Sequence, residues 1–150
     1  MNYKEKYRQW LDFADPDTKA ELESLTDEKE IEDRFYKDLA FGTGGLRGIM
    51  GAGSNRMNRY TVGKATLGLA NYLKSTGKAD LKVAIAYDSR NNSADFAKTA
   101  AGIFANCGLQ VYLYDRLVPV PVLSFTTRYL HCDAGVMITA SHNLKEYNGY

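Results

Sequence analysis

The chain has 150 residues, 45% of them hydrophobic, enough for one domain with a core of its own. Its 19 basic and 18 acidic residues leave a formal net charge of +1 and are dispersed, which excludes a bulk attraction to nucleic acid. No apolar run reaches the length of a membrane span, Met1 to Arg8 lack the apolar centre of a signal peptide, and Cys107 and Cys132 are widely separated, so packed, reduced thiols in a cytoplasmic protein are expected.

Tyr3, Tyr7, Trp10 and Leu11 recur at helical spacing near the start. Asp15-Pro16 pairs an N-cap residue with proline at the first helical position, which predicts a second helix running to about Leu25. Asp27 followed three residues later by Glu30 has the pattern of a capping box, and Ile31, Phe35 and Leu39 are predicted to share one face of a third helix. The charges of this lead-in read as a solvated outer face rather than a partner surface.

Glycine fills half of the positions from Gly42 to Gly53. Such density implies left-handed backbone or close approach to something, around a short strand near Leu46 to Met50. Thr43 and Arg47 lie among these glycines, and exposed N–H groups beside a guanidinium suit a phosphate; plain turn chemistry remains the alternative. The dinucleotide fingerprint is excluded because Arg47 stands where its last glycine would be and no strand precedes the stretch, and no Walker A motif is present.

Val62, Ala65, Leu69, Ala70 and Leu73 trace a helix ending near Gly77. Val83 to Tyr87 is a continuous apolar run, as expected of a central parallel strand, and it ends in Asp88-Ser89-Arg90-Asn91. Ser93 is predicted to cap a helix that turns Phe96, Ala97, Ala100, Ala101 and Phe104 inward and closes at Gly108. Leu109, Val111 and Leu113 alternate through a strand ending at Asp115; Pro119 and Pro121 then open a helix expected to bury Val122, Phe125 and Tyr129. Asp88 and Asp115 read as isolated strand-end residues, in turns or caps. Strand–helix alternation of this kind predicts an α/β fold, a three-layer α/β/α sandwich on a mostly parallel mixed sheet, behind a helical amino-terminal extension.

The last strand, Gly135 to Ile138, runs into Thr139-Ala140-Ser141-His142-Asn143. Ligands and chemistry gather at the carboxyl ends of strands in open α/β sheets, so Ser141 is a candidate nucleophile or phosphoryl carrier. Taken alone, the same residues also make an ordinary turn.

Two segments carry a resemblance. Thr139 to Asn143, followed by Glu146-Tyr147-Asn148-Gly149-Tyr150, resembles the phosphoserine loop of the α-D-phosphohexomutases, the phosphoglucomutase and phosphomannomutase family. Phe41-Gly42-Thr43-Gly44-Gly45-Leu46-Arg47-Gly48 resembles that family's amino-terminal substrate-facing loop. Arg56-Met57-Asn58 and the helical lead-in look most like the subgroup of bacterial phosphoglucomutases and phosphopentomutase-like enzymes, and Leu144 stands where the family commonly has proline. The resemblance divides the chain into an extension, residues 1–40, and the family's first domain, residues 41–150.

It also implies a chemistry. Ser141 would carry a phosphoryl group between the two hydroxyls of a sugar-phosphate substrate, through a bisphosphorylated intermediate. Arg47 would act as an electrostatic clamp, since arginine stays protonated and makes a poor base. Catalytic candidates are Ser141, Arg47 and His142; phosphate-binding candidates are Thr43, Gly44, Arg47, Ser141, His142 and Asn143. His142 and Asn143 would either donate to phosphate oxygens or fix the loop. Mg²⁺ is implied as cofactor, with Ser141 its one ligand here, through the serine phosphate; the other ligands belong to a later domain. Glucose 1,6-bisphosphate is implied as activator. Neither nucleic acid nor membrane is an expected partner, and the domain is expected to pack against later domains of its own protein. The family's catalytic lysine would follow Tyr150, so Lys145 is not that residue. The chain is accordingly expected to be the amino-terminal part of a longer enzyme, inactive alone.

Two rival readings are weighed against this. A serine hydrolase would want a G-x-S-x-G elbow and an orienting acid, which Ala140-Ser141-His142 lacks. A binding module that keeps the loops without turnover would have no need of a phosphoryl group on Ser141.

Overall fold

Three short helices open the computed structural model, which describes residues 2–150; the first residue of the amino-terminal reading, Met1, lies outside it. Helix α1 (Tyr3–Phe13) starts at a reciprocal cap in which Asn2 accepts from Glu5 N and Glu5 accepts from Asn2 N. Helix α2 (Pro16–Glu23) follows the Asp15 cap and Pro16, as its sequence predicts. Helix α3 (Glu28–Phe35) departs from expectation at both ends. Asp27 accepts from Lys29 N, but Glu30 does not close the box; its carboxylate instead takes Arg34 Nε at 2.7 Å and Arg56 Nη2 at 3.4 Å. The helix ends at Phe35, so Leu39 leaves its face and packs against the main core. Trp10, Leu22, Phe35 and Ala52 form a separate small core, with Trp10 edge-on to Phe35 and Tyr60 at 5.7 and 5.2 Å.

The glycine-rich stretch does contain a preceding strand. The two-residue β1 (Phe41–Gly42) pairs antiparallel with β2 (Gly45–Ile49) around a turn at Thr43 and Gly44. Asn58 then caps α4 (Arg59–Ser75), accepting from Tyr60 N and Thr61 N while Thr61 Oγ1 accepts from Asn58 N.

A second sheet is wholly parallel. Strand β3 (Lys82–Tyr87) lies between β4 (Gln110–Leu113) and β5 (Ala134–Ile138), with Ile85 opposite both Leu113 and Val136. Helix α5 (Ser93–Asn106) returns the chain from β3 to β4, and α6 (Val120–Tyr129) from β4 to β5. Alternation along β3 sorts the layers: Val83 and Ile85 face α4 and α5 in the main core, whereas Ala84 and Ala86 face α6 through Leu123. The three-layer α/β/α fold follows. Strand β6 (Tyr147–Gly149) joins the antiparallel sheet beside β2, so the strands as a whole are mixed.

Three local expectations are corrected. Val122, Phe125 and Tyr129 do not face inward; Phe125 is 58% and Tyr129 70% exposed, and the buried residue is Leu123. The alanines of β3 leave a shallow face, and α6 sits so close to β5 that a Cβ on Gly135 would come within 2.6 Å of Thr127 Oγ1. That approach admits the narrow Leu123–Thr127 stripe, while Phe125 and Tyr129 stack on each other outside. Ser93 is not a cap either: the N-cap position falls to Asn92 in left-handed backbone, and the Ser93 hydroxyl is drawn to Asp88. Finally, Leu113 is 38% exposed because β4 is an edge strand.

Candidate active site

Parallel pairing of β3 with β5 puts their carboxyl ends side by side, Tyr87 opposite Ile138. The segments that follow, Asp88 to Ser93 and Thr139 to Asn143, are therefore neighbours although some fifty residues separate them. Strand β6 closes the group from the other side. Thr139 N donates to Gly149 O at 3.1 Å, and Gly149 stands opposite Arg47 of β2. The backbones touch at this junction: a Cβ on Gly149 would lie 2.4 Å from Thr139 O, so only glycine fits. Both sequence-singled loops thus meet at one place.

Ser141 sits there in left-handed backbone, φ 55°, which costs a non-glycine residue on the order of 1 kcal/mol. Its N–H donates to Thr139 Oγ1 at 3.0 Å, and Asn143 N donates to Ala140 O at 3.0 Å. The turn and the presented hydroxyl are one structure rather than rivals. Ser141 is exposed, and its Oγ lies 3.4 Å from His142 Nδ1. Arg47, also exposed, donates from Nη1 to Asn143 Oδ1 at 3.1 Å, across 96 positions of sequence. Thr43 and Gly44 are exposed at the tip of the β1–β2 turn, and Gly44 lies against the Arg47 guanidinium. All six candidate residues therefore belong to the β1–β2 hairpin or to the loop after β5, which the pairing of β2 with β6 brings together.

Sequence reasoning missed the group that organises this loop. Arg90 donates from Nη1 to Leu144 O and Tyr147 O at 2.9 and 3.0 Å, and from Nη2 to Ser141 O and Asn143 O at 2.9 and 2.7 Å. Asp88, far from being isolated, accepts from Arg90 N, from the Ser93 hydroxyl and from the Thr139 hydroxyl, the last at 2.6 Å. Fully buried Asn148 completes the network, donating to Asn91 O and Ser93 Oγ and accepting from Gly149 N. The signal was Asp88-Ser89-Arg90-Asn91 itself, polar residues at the carboxyl end of the central strand.

The second histidine, His131, lies ahead of β5 and Ser141 beyond its far end, roughly 16 Å of strand apart, so it is not placed to serve Ser141 as a hydrolase base. No three His, Cys, Asp or Glu residues converge among the described residues. The residues present therefore do not build a Mg²⁺ site, and Ser141 could add only the oxygens of a phosphate. A cavity of about 740 Å³ lies elsewhere, between α1 and α4, and Trp10, Phe13, Leu39, Phe41 and Tyr150 make it apolar. Tyr150 is among its lining residues, but the Tyr150 hydroxyl is fully buried, and burial pushes its pKa up to about 12. A cavity with such a lining suits packing more than a sugar phosphate. Both cysteines are free and half-buried; burial raises the Cys132 thiol pKa. No helix among the described residues is long and apolar enough to cross a membrane.

The family model for phosphoglucomutase/phosphomannomutase, alpha/beta/alpha domain I, matches residues 38–150. A phosphoglucomutase of Staphylococcus epidermidis is 44% identical over 140 residues, 93% of this chain and 26% of that protein. One from Staphylococcus aureus (strain USA300) is 40% identical over the same length. The chain thus spans about a quarter of the length of the curated relatives it matches. The crystal structure of a "putative phosphomannomutase" from Thermus thermophilus superposes with a TM-score of 0.69 at 32% identity, over 75% of this chain and 25% of that one. With the fold, the two loops and these relatives in agreement, the chain belongs to the phosphoglucomutase/phosphomannomutase family and carries its α/β/α domain I.

Proposed function

We propose that the protein carrying this chain interconverts hexose 1-phosphate and hexose 6-phosphate, glucose phosphates in the first instance, with Ser141 as phosphoryl carrier. The observation that carries the reading is Ser141 itself: an exposed hydroxyl on a left-handed residue at the carboxyl end of β5, with Arg47 bonded into the same loop. In the first step a sugar hydroxyl attacks the phosphorus of phosphoserine; the new O–P bond forms as the Ser141 Oγ–P bond breaks, and the hydroxyl proton passes to a basic side chain of the site, which returns it in the second step. In the second, Ser141 Oγ takes the phosphoryl group at the sugar's other end, and that sugar oxygen regains a proton. The bisphosphorylated sugar between the two steps is glucose 1,6-bisphosphate, which also recharges an empty serine.

Such transfers depend on positioning and charge stabilisation. Arg47 is the clamp on the transferring group; Thr43, Gly44 and Asn143 take phosphate oxygens. The imidazole of His142, beside Ser141 Oγ, is the nearest group to share its proton. Mg²⁺, when bound at the serine phosphate, supplies further charge neutralisation, with its remaining ligands from outside this chain. Residues 1–40 act as an extension docked on the domain of residues 41–150, which packs against later domains in a cytoplasmic enzyme. The relatives' names favour glucose over mannose or pentose phosphates.

The test is intact-mass and peptide mass spectrometry after incubating the full-length protein with glucose 1,6-bisphosphate and Mg²⁺. A phosphoryl group mapping to Ser141 and discharged by glucose 1-phosphate is expected. An unlabelled Ser141 in folded protein would turn the reading to a phospholigand-binding module. The 150-residue chain, which spans about a quarter of the length of its relatives, is expected to show no turnover alone.

A further inference from the structure

Arg90 belongs to neither family loop, yet it is the residue most committed to the shape of the Ser141 loop. Its two terminal nitrogens hold four main-chain carbonyls within seven residues: Ser141, Asn143, Leu144 and Tyr147. Asp88 orients the guanidinium, its Oδ2 lying 3.6 Å from Arg90 Nε, and the same oxygen accepts from Thr139, the hydroxyl that Ser141 N caps. One carboxylate therefore links the arginine to the residue that sets the Ser141 turn.

The carbonyls matter for what they turn outward. All peptides here are trans, so each N–H opposes the carbonyl of its own peptide unit. Drawing the carbonyls of Ser141, Asn143 and Leu144 to Arg90 directs the N–H groups of His142, Leu144 and Lys145 away from it. These three donate to no protein group among the described residues, and all three residues are solvent-accessible. Unpaired N–H groups fixed in one turn are anion donors. Stiffness that a proline at 144 would have lent the loop is also supplied here, because the clasp runs across Leu144.

We propose that Arg90 is a positioning residue for phosphoryl transfer at Ser141: it holds the 141–147 carbonyls inward, so that Ser141 keeps its left-handed turn and the His142, Leu144 and Lys145 N–H groups face the phosphoryl oxygens. The proposal rests on the reading of Ser141 as carrier. Lysine at 90 keeps the charge but cannot span four acceptors in a plane, so it should hold the loop only in part.

The test uses the full-length protein as wild type, Arg90→Lys and Arg90→Ala. For R90A, kcat should fall about 100-fold with KM for glucose 1-phosphate changed by no more than about threefold. R90K should fall between the two, and added guanidinium should restore about tenfold in R90A and nothing in R90K. Hydrogen exchange should quicken at the hydrogen-bonded amides of Ser141, Asn143 and Tyr147 while the amides of β3 stay protected as in wild type. Four outcomes overturn it: kcat within about twofold of wild type in both variants, kcat lost with loop exchange unchanged, exchange quickened equally in β3, or failure of both variants to fold. A wild-type Ser141 that never takes a phosphoryl group overturns the carrier reading too; a labelled wild type with undisturbed Arg90 variants overturns the Arg90 proposal alone.

Discussion

The molecule buries its arginines in two ways. At the junction of the extension and the domain, Arg34 and Arg56 meet carboxylates: Arg34 pairs with Glu21 and Glu30, and Arg56, 4% exposed, pairs with Asp33 at 2.6 Å and more weakly with Glu30. At the Ser141 loop, Arg90 meets four carbonyls and one carboxylate at 3.6 Å. The first arrangement cancels charge and fastens helices. The second fixes backbone while leaving most of its positive charge for something else, and exposed Arg47 and Lys145 lie in the same neighbourhood. Neutralised arginine marks a joint; arginine matched to carbonyls beside a free hydroxyl marks a place for an anion.

Substitutions can break that contrast. The largest effect is expected from Ser141→Ala, which should remove the phosphoryl label and lower turnover of the full-length enzyme by about 10³-fold or more, with unfolding free energy changed by less than about 0.5 kcal/mol. Arg47→Ala should cost about 10²-fold in kcat/KM, again with stability nearly unchanged because the side chain is exposed. Steady-state kinetics beside urea denaturation checks both. Arg56→Ala should do the reverse: about 2 kcal/mol of stability lost as Asp33 and Glu30 lose their buried partner, and little change in kcat of the folded enzyme. A large kcat loss in R56A without destabilisation would erase the distinction between the two arginine types.

What the sequence revealed follows the same line. Ser141 was legible as a candidate because an apolar strand running into small polar residues puts a hydroxyl at a strand's carboxyl end, although an ordinary turn reads alike and the resemblance decided between them. Strand β3 and the α5 face followed from continuous or periodic apolar spacing. Arg47 among its glycines was only a weak phosphate signal without the resemblance, since its approach to Asn143 depends on β2 pairing with β6 across a hundred residues. Asp88-Ser89-Arg90-Asn91 marked the polar segment at the end of β3, but not the role of Arg90. Its partners are main-chain carbonyls, which every residue owns, so no pattern of side chains announces it. The α6 error has another origin. Residues 120–129 carry apolar side chains on two faces, and the choice lay outside the helix, in Ala84, Ala86 and Gly135, which admit only a narrow stripe. At Ser93 an N-cap preference of about 1 kcal/mol was overridden by Asp88 and Asn148, which use the hydroxyl from both sides.

The smallest effect sharpens the comparison on the joint's side. Asp15, which caps α2, accepts from Tyr60 Oη at 2.6 Å while its N–H donates to the same hydroxyl at 2.7 Å, binding the extension to α4. The Tyr60 hydrogen bond holds the Asp15 carboxyl at about 2, with Thr18 adding to the effect, against an ordinary value of 3.8. A carboxyl depressed on folding stabilises the native state above its unfolded pKa and ceases to do so as pH falls through the native one. Tyr60→Phe should therefore cost about 1 kcal/mol at pH 7, and its difference from wild type should shrink between about pH 4 and pH 2 as the carboxylate is protonated in both proteins. Urea midpoints across that window measure it. A constant deficit from pH 7 to pH 2 would mean that the hydroxyl fastens the extension through the Asp15 N–H it accepts and that the charged bond contributes nothing, since phenylalanine keeps the ring packing on Trp10 and Phe13.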